Sequence, residues 1–151
     1  MNLGQLFSNH VLIGPLIAWG LAQLLKIPIH YLRTGERDWS LLLRAGGMPS
    51  SHSALVSGVA HGIGLTQGFD SPLFALAAAF AMVVIYDSTG IRRQAGRHAT
   101  IINSIINDIL EGHPEQGPEK LKEVLGHSPA EAAAGIIMGI GLTQAYFIFF
   151  G

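Results

Sequence analysis

Residues 1–25, 45–69, 71–86 and 132–151 contain no Asp, Glu, Lys or Arg. A membrane-crossing helix needs about 20 mainly apolar residues, within a range of roughly 17–25. Only a segment that bonds its own backbone groups can cross lipid unaided. The sequence therefore predicts an all-α polytopic membrane helix bundle with about four spans, near residues 11–31, 53–66, 72–87 and 130–150. The second is short, glycine-rich and interrupted by His61, which fits a tilted or partly embedded helix. Charged residues make up 13% of the 151, against about 25% in a soluble domain. Buried helices of a soluble α-protein are the competing possibility. A single membrane domain over residues 1–151 is expected. No Lys or Arg precedes the first apolar run, which argues against a cleaved signal peptide. A net charge of -1 argues against nucleic acid as a partner. The absence of cysteine removes disulfides, thiolate metal sites and a cysteine nucleophile.

The basic residues give the spans a direction. Lys26, Arg33, Arg37 and Arg44 lie at the end of span one or before span two. Arg92, Arg93, Arg97, Lys120 and Lys122 lie between spans three and four. Two crossings separate these connections, so they share one side, which the positive-inside rule makes cytoplasmic. The protein is then integral to the cell membrane with both termini outside. Gly58 with Gly62, and Gly135 with Gly139, have the four-residue spacing that lets helix backbones approach in lipid. Residues 99–126 form a cytoplasmic helical insertion. Ile101, Ile102, Ile105, Ile106, Ile109 and Leu110 mark one helical face, with Asn103, Asn107, Asp108 and Glu111 on the other. That apolar face suits either the membrane interface or a dimer contact. After breakers at Gly112, Pro114, Gly117 and Pro118, residues 119–125 predict a second short helix.

Three polar clusters lie at the cytoplasmic span ends. In Gly46-Gly47-Met48-Pro49-Ser50-Ser51-His52-Ser53, Ser50 or Ser51 can cap the following helix. A helix start presents N–H groups suited to phosphate, and His52 adds a titratable group there. The plainer alternative is that the serines are only caps and His52 is interfacial. Tyr86-Asp87-Ser88-Thr89-Gly90-Ile91-Arg92-Arg93 continues to Arg97 and His98. Its arginines suit phosphate through paired donors, or simply anchor the span among lipid headgroups. Asp87 calls for one of these arginines as a partner. In His127-Ser128-Pro129-Ala130-Glu131, residues Ser128, Pro129 and Glu131 fit a capping box. The glutamate also lies one turn from His127, where a carboxylate can fix an imidazole tautomer.

Together these clusters resemble the type 2 phosphatidic acid phosphatase superfamily, which includes vanadium-dependent haloperoxidases. Its motifs are K-x6-RP, PSGH and SR-x5-H-x3-D. Here Lys26 and Arg33 have the first spacing, with Thr34 in place of proline. Pro49-Ser50-Ser51-His52 matches the second, with serine for glycine. The third is split between Arg92 or Arg93 and His127–Glu131, with glutamate for aspartate. The stretches GGMPSSHSA, YDSTGIRRQAG and LGHSPAEAAAG look like the divergent branch of that superfamily.

The resemblance implies a membrane lipid-phosphate phosphatase that forms a phosphohistidine and needs no metal or other cofactor. His127 would be the nucleophile, Glu131 its orienting acid and His52 the proton donor to the leaving oxygen. Lys26, Arg33, Ser50, Ser51, Arg92 and Arg93 would bind phosphate. His98 competes with His127, because Arg92 and His98 have R-x5-H spacing, but Ile102 then stands where the acid belongs. His30, between Lys26 and Arg33, is a further candidate. The substrate would be a phospholipid phosphomonoester, such as phosphatidylglycerophosphate or phosphatidic acid, or a prenyl pyrophosphate. The rival is a non-catalytic membrane protein that binds phosphate or phospholipid. Four spans, against six in the parent membrane enzymes, imply a homodimer.

Overall fold

The computed structural model describes residues 4–42, 46–109, 120–123 and 125–151. Arg44, residues 110–119 and Val124 lie outside them. A short helix α1 (Gly4–Phe7) leads into α2 (His10–Thr34), and a 3₁₀ turn follows at Trp39–Leu42. The chain continues through α3 (Ser51–Gln67), α4 (Pro72–Tyr86), α5 (Arg92–Ile109) and α6 (Pro129–Phe150). Among the described residues every regular element is helical. Helices α2 and α6, and the continuous run from Pro72 to Asn107, are each long and apolar enough to cross a membrane.

The ends of the helices follow from local chemistry. Asn9, Ser50, Ser71 and Ser128 cap α2, α3, α4 and α6, each accepting a backbone N–H from the first turn. Gly35 closes α2 in a left-handed conformation.

Helix α3 is the centre of the bundle, packed against α2, α4 and α6. This accounts for its composition. A helix surrounded by protein does not need lipid-facing leucines, and Ser53, Ala54, Ser57, Gly58, Ala60 and Gly62 bury its surface at short range. Its contact with α6 is backbone to backbone. A Cβ on Gly139 would lie 2.2 Å from the Ala54 carbonyl oxygen, and one on Gly135 would lie 2.3 Å from that of Ser50. Around Gly141, two residues further on, none of the described residues comes within 4 Å of such a Cβ. A Gly139→Ala protein is therefore expected to lose about 1–3 kcal/mol to overpacking, whereas Gly141→Ala costs nothing. Thermal melts of both variants in one detergent test this, and equal melting points would contradict the packing.

Three sequence expectations are corrected. The amphipathic helix does not begin near Ala99 as a separate insertion. A π-helical turn at Asp87–Ile91 joins α4 to α5 without a break. Ser88 Oγ and Thr89 Oγ1 both donate back to the Ile85 carbonyl (2.9 and 2.8 Å), which favours such a distortion. The second short helix is also absent, since Lys120–Glu123 and Leu125 are not helical. They run along α5, and Asn103 explains why. Its Oδ1 accepts the Leu121 N–H (3.0 Å), and its Nδ2 donates to the Leu121 carbonyl (2.9 Å) and to Glu123 Oε1 (2.8 Å). One side chain thus pairs with the backbone as a strand would. Asn103, expected on the solvated face, is 5% exposed, while Ile101, Ile105 and Ile109 are at least half exposed.

Candidate active site

His127 is placed by its backbone before its side chain acts. Its N–H donates to the Ser88 carbonyl in the π turn (2.8 Å). The residue before it, Gly126, has φ +79, and a Cβ there would lie 2.5 Å from that same carbonyl and 2.7 Å from the Arg93 nitrogen. Only glycine allows the loop to lie this close to the start of α5. Gly96 does the same upstream, where a Cβ would meet the Glu123 carbonyl at 2.4 Å. The segment leading to His127 is therefore fixed at two points, Asn103 and Ser88. Neither was a candidate from the sequence, because their partners are distant in the chain and both residue types are common on solvated helix ends.

The His127 side chain is 2% exposed. Its Nδ1 faces Glu131 Oε2 at 3.3 Å. The same oxygen accepts the Ser128 N–H (3.0 Å), and Ser128 Oγ accepts the Glu131 N–H (3.3 Å). One carboxylate thus closes the capping box and holds the imidazole. With the proton on Nδ1 toward Glu131, the lone pair is on Nε2. That atom is buried and has no hydrogen-bond partner among the described residues, and a buried polar atom without a partner is costly unless a ligand completes it.

Three cavities meet at the His127–Glu131 pair. The smallest, about 40 Å³, is lined by His52, Asp87, Ser88, Arg92 and His127. Arg92 Nε donates to Asp87 Oδ2, which orients the guanidinium and leaves its terminal nitrogens available. The second, about 120 Å³, gathers Lys26, His30, Arg33 and Glu131. Lys26 is 2% exposed, and its charge and that of Arg33 act on Glu131. The third, about 320 Å³, has Arg93, Arg97, Thr100 and Glu123 around His127, Ser128 and Glu131.

The structure thus brings together His52, His127, Glu131 and Arg92, with Lys26, His30 and Arg33 on the carboxylate side and Arg93 beyond. Ser50 and Ser51 are fully buried. Ser50 Oγ accepts from Ser53 N and Ser53 Oγ (3.3 and 3.0 Å), and the Ser50 N–H donates to the Glu131 carbonyl (3.0 Å). The Ser50 side chain thus caps α3, and its N–H ties α3 to α6. His98 is not brought to this pair. It lies on the exposed face of α5 in a separate cavity with Tyr86 and Gln94. Of the other histidines, His10 Nδ1 meets the Tyr146 hydroxyl (3.1 Å) and His61 Nε2 meets Gln144 Oε1 (2.8 Å), both within the helix bundle.

An imidazole with a buried nitrogen open to a ligand, an oriented carboxylate on its other nitrogen, and a second histidine and arginines lining the adjoining cavities can take a phosphoryl group and donate a proton. Comparisons with known proteins give the family. A family model described as "Divergent PAP2 family" matches residues 7–142. A protein of Bacillus subtilis (strain 168), named "Uncharacterized membrane protein YuiD", is 40% identical over 156 residues, covering 97% of this chain and 99% of that protein. No solved structure matches.

Proposed function

The chain belongs to the divergent PAP2 family, and from that premise we propose that it is a membrane phosphatase acting on a phosphomonoester lipid through a phosphohistidine. The observation that carries this is the buried, unpartnered Nε2 of His127, with Glu131 on the opposite nitrogen. In the proposed first step the Nε2 lone pair attacks phosphorus. The bond to the leaving oxygen breaks, and His52 supplies that oxygen with a proton. Glu131 stabilises the positive charge that develops on the ring. Arg92 stabilises the equatorial oxygens. In the second step water attacks the phosphohistidine. His52, now neutral, takes the proton from that water, and phosphate leaves as Nε2 recovers its lone pair.

The substrate enters from the cytoplasmic leaflet, with both termini on the outer side. Lys26, Arg33, Arg92, Arg93 and Arg97 all line the cavities at this end, which is the distribution that positive-inside orientation favours. A homodimer fits the exposed isoleucines of α5.

The test is phosphate release by protein purified in detergent, offered phosphatidylglycerophosphate, phosphatidic acid and a prenyl pyrophosphate with EDTA present. Release from at least one lipid, undiminished by EDTA, is expected. Folded protein that releases phosphate from none would leave the rival, a phospholipid-binding membrane protein.

A further inference from the structure

Arg92 and Arg93 are adjacent in sequence, yet the helix separates them by about 100°, and they serve different cavities. Arg92 lines the smallest cavity with His52 and His127. Arg93 lines the third cavity together with Arg97, one turn further along α5. Asp87 pairs with Arg92. Among the described residues neither Arg93 nor Arg97 has a hydrogen-bond or ion-pair partner. Two guanidinium groups four residues apart repel one another, and an anion between them removes that cost.

The cavity also contains two carboxylates, and both are engaged. Glu131 holds His127 and the Ser128 N–H. Glu123 accepts from Asn103 Nδ2 and from Thr100 Oγ1 (3.2 Å). These bonds hold the Glu123 carboxylate against Thr100 and Asn103. The volumes differ in the same sense. About 40 Å³ beside His52 is confined space around a single group, whereas about 320 Å³ beside the arginine pair falls in the range of small-molecule sites. Gly126 and His127 border both cavities, so a group in the larger one lies close to phosphorus at His127.

We propose that Arg93 and Arg97 form a second anion subsite, and that the substrate is a lipid whose head carries a second phosphate near the phosphomonoester that is cleaved. This rests on the phosphatase assignment. It ranks a headgroup with a phosphodiester followed by a terminal phosphomonoester above one with a single phosphate. Arg97 is then a specificity residue that contacts the retained phosphate.

The experiment uses the full chain in a neutral detergent, with phosphatidylglycerophosphate and phosphatidic acid of identical acyl chains. Arg97→Gln is expected to lower the ratio of kcat/KM for the first lipid over the second about tenfold, mainly through KM, as the loss of a charged hydrogen bond implies. An unchanged ratio overturns the proposal. An equal loss on both lipids also overturns it, assigning Arg97 to general attraction for lipid phosphate. Binding of inorganic phosphate that Arg97→Gln abolishes without altering the lipid ratio assigns the subsite to the free ion and overturns it too. Equilibrium binding of the same two lipids to His127→Ala protein, with and without Arg97→Gln, separates this proposal from the assignment beneath it. If the wild-type protein releases no phosphate, the phosphatase assignment fails. The tenfold difference in binding then still supports the subsite, and its absence removes it.

Discussion

Replacing His127 by alanine abolishes phosphate release, with a loss of at least about 10⁴-fold expected when a nucleophile is removed. Its Nε2 is the candidate site's unpartnered buried nitrogen, so no neighbour stands ready to take over its role. His98, which has the alternative motif spacing, is exposed in another cavity, and His98→Ala retains activity. Because His127 is buried, alanine also leaves a void. His127→Asn is the second variant, since an asparagine amide can still donate toward Glu131 yet forms no phosphohistidine. Both variants are assayed beside a melting curve. A folded His127→Asn protein with wild-type turnover would refute the phosphohistidine mechanism.

Glu131→Gln separates the two duties of one carboxylate. Glutamine at the third helical position preserves a capping box, so α6 should start where it does now and stability should change by less than about 1 kcal/mol. Catalysis should not survive so well. An amide cannot stabilise the positive charge on the imidazole, and it can present its NH₂ to Nδ1 and so select the wrong tautomer. A comparable carboxylate-to-amide change costs about 10⁴ in kcat in serine proteases. A loss of about 10²–10⁴ in kcat, with KM little altered and the melting point retained, is the expected pattern. If activity and melting point move together, Glu131 is only a cap. Full activity would show that His127 needs no orienting acid.

Some of this was legible because it is local. The capping box and the His127–Glu131 pair are separated by three and four residues, and helical geometry brings such positions together whatever surrounds them. The same holds for Asp87 and Arg92 across the π turn. The helices of the bundle fall on the charge-poor stretches because lipid offers backbone groups no alternative partner. Other features were misread for an equally physical reason. The periodicity of residues 101–109 was visible, but it could not say which face would be covered. The isoleucines face outward, and Asn103 is buried because its amide bonds Leu121 and Glu123 of a non-helical segment. The short helix expected over 119–125 fails for the same reason. Asn103 pairs with the Leu121 backbone in a geometry that a helix there would forbid.

Composition, periodicity and contiguous motifs suffice to show that the chain is an all-α membrane protein, where its apolar helices run and which family it belongs to. Tertiary structure decided the rest. It made glycine-rich α3 the centre of the bundle, placed His52 beside His127, turned Arg92 and Arg93 toward different cavities and left Arg97 without a partner among the described residues. Those relations depend on how helices distant in sequence pack against one another, and a one-dimensional pattern carries no record of that packing.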